Sequence, residues 1–301
     1  MSKYPTQTQP GEMQPYGALP APYLTPDLLA LITTGTVYSL AVVYFNGMPV
    51  PGGLAPYMLT PHLRHGDVEG ILPASAATEV MQMSAHTGTH IDALCHIGEH
   101  QDADGNPDPT GQGRARIYDG DQPIPADEQV NEHGQQHMSI AQMPPILTRG
   151  VLVDVAGNKG VDVLPDAYEI TAEDIESAIT AQGTEIQPGT AVLVRTGFYQ
   201  HLRDGNPAYR DAIAGLRLDA AKFLRARGMI LAGADNMTVE AMPPTAHSVH
   251  RYLLTHNGVS HLENLYLEEL ASKQVYEFLL IVTPLRLQGA TGSWVHPIAL
   301  A

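Results

Sequence analysis

The run Ser84-Ala-His86-Thr-Gly-Thr-His90-Ile-Asp92-Ala-Leu-Cys95-His96 constrains this chain more than any other stretch. Three imidazoles and a carboxylate occupy positions 86, 90, 92 and 96, all of them even. Along an extended backbone successive side chains alternate between faces, so these four point the same way. On a helix, at about 100° per residue, Asp92 and His96 fall far round from His86 and His90. Thr-Gly-Thr is also poor helix-forming sequence. The pattern predicts a strand edge and a following turn, and such a strand needs a sheet to carry it.

Neutral imidazole with carboxylate is the ligand set that suits zinc, manganese or iron(II). A catalytic zinc takes three protein ligands and keeps one position open. His86, His90 and Asp92 supply three, which leaves His96 beside them as a general acid/base. A His-rich loop without metal is the alternative, and four donors of matching parity speak against it. Cys95 has the opposite parity and reads as a small buried apolar residue, with a nucleophile as its rival role.

The rest of the composition narrows the partners. Thirty-two acidic residues against sixteen Lys and Arg leave a formal charge of −16. Such a surface repels phosphate backbones and anionic lipid, so neither nucleic acid nor a membrane surface is expected as a partner. A small-molecule substrate is. One cysteine excludes an internal disulfide and any CxxC motif. No apolar run is long enough for a membrane span, and residues 1–22 lack the pattern of a signal or transit peptide. A cytoplasmic protein is the expectation.

Residues 1–22 alternate Pro, Gln, Gly and Tyr without period and read as a flexible N-terminal arm. From 23 to 301, strand and helix signals alternate without a break, which argues for one α/β domain. Thr25 caps a short helix reaching Ile32, and Thr36–Phe45 reads as a strand. Residues 46–75 look like a long loop, Thr78–Ser84 like a strand, and Gln101–Pro125 like a polar surface loop. Gly150–Val155 is a buried-type strand. Thr171 caps a helix that Gly183 ends. A strand over Ala191–Thr196, a helix over Leu218–Arg227, a strand over Met229–Gly233, a helix over Asn264–Ala271 and a strand over Tyr276–Thr283 follow.

The run from His86 to His96 resembles the HxGTHxDxPxH signature of the metal-dependent cyclase family, which includes kynurenine formamidases, isatin hydrolases and trans-dienelactone hydrolases. Further blocks are similar to recurring ones there: Arg149-Gly-Val-Leu-Val-Asp154, Val194-Arg195-Thr-Gly197, Gly233-Ala-Asp235-Asn, Leu262-Glu263-Asn264-Leu265 and Gly289-Ala-Thr-Gly-Ser293. Leu94 departs from the signature, standing where it has Pro. The resemblance covers most of residues 35–299 and implies a swivelling β/β/α fold and a homodimer or homotetramer. It implies His86, His90 and Asp92 as metal ligands and His96 as the proton donor and acceptor. Distal ligands would come from His250 and Glu263, and Asp92 could bridge to a second ion. Zinc is the first candidate and manganese the second, as one or two ions.

Several residues have competing roles. His247 is second to His250 as distal ligand, and His261 shares strand parity with Glu263, so it either lines the cleft or is structural. His256 suits a helix C-terminus, whereas His62, His65, His133 and His137 suit solvated loops. Arg195 reads as a structural ion pair. Asp235, at a strand end, suits either a site or a turn cap. The expectation is a metal-dependent hydrolase that opens a small lactone, cyclic amide or aryl amide, most like trans-dienelactone hydrolase or arylformamidase. Its rivals are a non-catalytic metal-binding or storage protein and a Cys95-nucleophile hydrolase.

Overall fold

The computed structural model describes residues 13–67, 73–120, 122–244 and 247–301. Its centre is a nine-stranded sheet. In chain order the strands are β1 (Val37–Ser39), β2 (His90–Asp92), β3 (Ile146–Asp154), β4 (Thr190–Arg195), β5 (Met229–Ala234), β6 (Ser260–Glu263), β7 (Glu277–Val282), β8 (Gly292–Trp294) and β9 (Ile298–Leu300). Across the sheet they run β1-β9-β7-β3-β4-β5-β6-β2-β8. Strands β3, β4, β5 and β6 are mutually parallel, and the flanking pairs are antiparallel.

Parallel strands need both faces covered, and these read accordingly as nearly unbroken apolar runs. Every residue of β4 and β5 is buried. On one face Val151, Val153, Val192 and Val194 pack against Ile175, Ile179, Ala220 and Leu224 of the two crossover helices. On the other, Leu152, Leu193, Leu231, Leu262 and Phe278 form a second core. The helix α1 (Ala172–Gln182) starts at a capping box in which Thr171 accepts from the Asp174 amide, and it stops at Gly183, whose φ is 66°. Such a cap contributes about 1 kcal/mol. Helix α2 (Leu218–Ala226) links β4 to β5.

The predicted elements of this central unit form close to their expected limits, and the periphery differs. Only Val37–Ser39 of the 36–45 stretch is strand, because the Val42 amide donates to Thr89 Oγ1 and leaves the sheet ladder. The 46–75 segment is not a plain loop: Met58–Leu63 pairs antiparallel with Thr78–Gln82, while residues 68–72 lie outside the described ones. Within the polar 101–125 segment, Arg114–Ile117 joins Glu99–Gln101 and Ile124–Pro125 in a small sheet. The helix expected from Asn264 begins at Glu268, since Asn264 has a φ of 55°.

The expected flexible arm over 1–22 is corrected for its second half. Tyr16 and Leu19 are buried, and the Tyr16 hydroxyl accepts from the Leu94 amide and donates to the Met138 carbonyl. Residues 1–12 lie outside the described ones. Among the described residues no helix is long and apolar enough to cross a membrane.

Candidate metal centre

Strand register assembles the middle of the site. β2 pairs antiparallel with β6, with His90 opposite Glu263 and Ile91 opposite Leu262. On its other side β2 pairs with β8, which sets Asp92 opposite Gly292. Alternation then puts His90 and Asp92 on one face of β2, and His261 and Glu263 on the same face of β6. His90 Nε2 lies 3.4 Å from Asp92 Oδ1 and 3.3 Å from Glu263 Oε2. Its Nδ1 is 2.8 Å from the Gly88 carbonyl. The Gly88 carbonyl takes the Nδ1–H, so Nε2 is the nitrogen that faces both carboxylates and would meet a metal there.

His86 and His96 reach this face by another route. The extended parity predicted for 86–96 holds only over His90–Asp92. A turn closed by the Thr87 amide on the Ser84 carbonyl presents His86, and one closed by the His96 amide on the Ala93 carbonyl presents His96. His86 Nδ1 lies 2.8 Å from Asp92 Oδ1, and its Nε2 lies 2.9 Å from Thr291 Oγ1. The His96 ring stacks on His86 with centroids 3.9 Å apart. Gly292 makes room for this: a Cβ there would meet His86 Cε1 at 2.7 Å. No other residue leaves the His86 ring where it is.

His250 ends the short helix Ser248–His250, which continues as a π-helix over Arg251–His256. Its Nδ1 is 2.5 Å from Glu240 Oε1, and its Nε2 is 3.6 Å from Glu263 Oε1. The donor atoms of Asp92, His250, His261 and Glu263 lie within 4.8 Å of one another, as do those of His86, Asp92 and His96. His96 is therefore placed both to ligate and to exchange a proton.

The electrostatics follow from burial of unlike and like charges together. Burial opposes charge on His90 and His250, yet carboxylate partners raise both to about 10: Asp92 and Glu263 for His90, Glu240 and Glu263 for His250. Asp92 and Glu263 are held well below the usual carboxylate range by surrounding imidazoles, against the cost of burial. His96 is pushed down to about 4, chiefly by burial, so it is neutral near pH 7. Two carboxylates buried on one face call for positive charge. Glu263 Oε1 and both ring nitrogens of His261 are buried without a hydrogen-bond partner. Orphaned acceptors of this kind beside two carboxylates fit a divalent cation.

His247 is half exposed and meets Glu240, not the carboxylates of the β2–β6 face. His256 pairs with Glu99 at 2.9 Å. His62, His65 and His133 are exposed, and His137 pairs with Asp119 at 2.7 Å. Arg195 is bound by Asp154 and Glu268. Cys95 is buried, which lifts its thiol to about 12 and makes it a poor nucleophile. Glu240 escaped the sequence, and Thr291 and Gly292 stood there only within the 289–293 block, with no role of their own. Only the need of a ligating imidazole for an acceptor on its second nitrogen points toward a residue such as Glu240.

Residues 29–241 match the family model described as Cyclase, putative cyclase. That span contains His86, His90, Asp92 and His96, while His250, His261 and Glu263 lie beyond it. The kynurenine formamidase of Bacillus thuringiensis subsp. konkukian is 34% identical over 218 residues, covering 72% of this chain and 77% of that protein. The one from Bacillus cereus strain ATCC 14579 is 27% identical over 218 residues, with the same coverage of 72% and 77%. A solved structure of a novel cyclase superposes with a TM-score of 0.81 at 28% identity, over 95% of this chain and 94% of that one. Isatin hydrolase A of Labrenzia aggregata shares the fold, with a TM-score of 0.61 at 20% identity over 91% and 97% of the two chains.

Proposed function

The chain belongs to the cyclase family, and on that premise we propose that this metal-dependent hydrolase cleaves the carbonyl–nitrogen bond of a small aryl amide, a formamide above all. The observation that carries this reading is the approach of His86 and His90 to Asp92, and of His90 and His250 to Glu263, beside buried atoms that lack hydrogen-bond partners. The relatives named as kynurenine formamidases favour the amide over a lactone.

His86, His90 and Asp92 would hold one divalent cation, zinc by the nature of the donors, and Asp92 with His250 and Glu263 would hold another. Such a cation, when bound, activates water and stabilises negative charge developing on a carbonyl oxygen. The chain's own groups do the rest. Gly88 and Glu240 fix the orientation of His90 and His250 through their Nδ1 atoms. Burial of the face excludes bulk water and strengthens each electrostatic contact within it. His96, neutral and stacked on His86, accepts a proton from the attacking water and returns it to the departing nitrogen.

The test is turnover of an N-formylated aromatic amine before and after exhaustive chelation, with a simple lactone assayed in parallel. Activity on the formamide that disappears with the metal and returns with zinc is expected. Activity that survives full metal removal and dies in Cys95→Ser would overturn the reading.

A further inference from the structure

His261 is the one imidazole of the β2–β6 face to which neither the family signature nor the proposed chemistry gives a task. Its side chain is fully buried, at 0% exposure. Neither ring nitrogen has a hydrogen-bond partner. Leaving a buried polar group unsatisfied costs on the order of 1–3 kcal/mol, a cost an apolar residue at this position would avoid. Continuing the β2–β6 register by one residue sets His261 across from Asp92. Its Nδ1 lies 3.7 Å from Glu263 Oε1, itself without a partner, and its ring centroid is 4.5 Å from that of His250.

We infer that His261 is a cation ligand, and that with Asp92, His250 and Glu263 it forms a closed four-donor position distinct in kind from the His86–His90 side. This rests on the reading of the site as a metal centre. Four protein donors around zinc leave no open place for water, the pattern of a structural site, whereas a catalytic site keeps one. The two cation positions therefore divide the work. The one at Asp92, His250, His261 and Glu263 is retained and neutralises the carboxylates; the one at His86, His90 and Asp92 stays open to substrate.

Zinc content by mass spectrometry and release into a chromogenic chelator test this on the full chain. Two zinc ions per wild-type chain, released in a fast and a slow phase, are expected. His261→Phe should keep the fast ion and lose the slow one, or release it at least a hundredfold faster, with folding checked by circular dichroism. A His261→Phe protein that keeps two ions with wild-type release rates overturns the inference and leaves the metal-centre reading intact. Wild-type protein that takes up no zinc overturns both. Should His261→Phe fail to fold, X-ray absorption of the zinc held by His86→Ala, which leaves the other position a single imidazole, decides: two imidazoles on that zinc support the assignment, and one refutes it.

Discussion

Two charged clusters sit at the C-terminal ends of neighbouring parallel strands, and they differ in whether their groups are satisfied. Arg195 closes β4, and its guanidinium donates to Asp154 at 2.8 Å and to both oxygens of Glu268 at 2.9 and 3.0 Å. Asp235, just after β5, accepts from the Thr196 amide and hydroxyl and from the Gly197 amide at 2.8, 2.6 and 2.7 Å. Every carboxylate in this cluster has hydrogen-bond donors of its own, so none is left for a ligand. One strand further on, at the end of β6, Glu263 and its neighbours keep buried atoms without partners. Strand ends in parallel sheets commonly carry sites. Here residue type and location are shared, and satisfaction separates scaffold from centre.

The sharpest way to break that contrast is to remove a carboxylate from the unsatisfied cluster. Asp92→Asn is expected to abolish both metal retention and hydrolysis, read by zinc content and turnover, because Asp92 faces His86 and His90 together. His96→Ala should keep the metal and slow turnover by about 10²–10⁴-fold, the range for a lost general acid/base. Equal turnover in the variant would remove His96 from the chemistry.

The satisfied cluster should respond in stability instead. Arg195→Met leaves Asp154 and Glu268 without their cation and is expected to cost about 3 kcal/mol in denaturant unfolding. Zinc bound per folded chain should stay unchanged, and a large loss of zinc would blur the distinction between the clusters. Glu99 offers the smallest effect. Its carboxylate is buried, and bonds from Gln101, His256 and Arg251 hold it below its ordinary value of 4.5 against the cost of burial. A depressed carboxylate stabilises the fold above its unfolded value and loses that contribution as pH falls. Glu99→Gln should therefore cost about 1.5–3 kcal/mol near pH 7, with the gap to wild type closing below about pH 4.5. A gap independent of pH would mean that shape, not charge, matters at this position.

Much of the central unit was legible because its signals are local. Thr171 and Gly183 bracket a helix by capping chemistry, and unbroken apolar runs announce β4 and β5. Period-two alternation correctly paired His90 with Asp92 and His261 with Glu263. It reached His86 and His96 for the wrong reason, since turns and not strand continuation bring them in. The hairpin of Met58–Leu63 and Thr78–Gln82 was hidden by Pro61, which ordinarily argues against a strand interior, and by a register irregularity between Pro61 and Leu63. Tyr16 packs through contacts to residues far along the chain, which no local period encodes. Gly292 and Thr291 were visible only as part of a recurring block; their purpose follows from where the His86 ring lies.

The central claim is that the face shared by β2 and β6 holds a cation, and anomalous diffraction at the zinc edge from zinc-loaded crystals tests it most directly. The account predicts a peak about 2.0–2.2 Å from carboxylate oxygens of Asp92 and Glu263, the range of zinc–oxygen bonds. Fully loaded crystals with no peak on that face, or with zinc only at surface histidines such as His133, would contradict it.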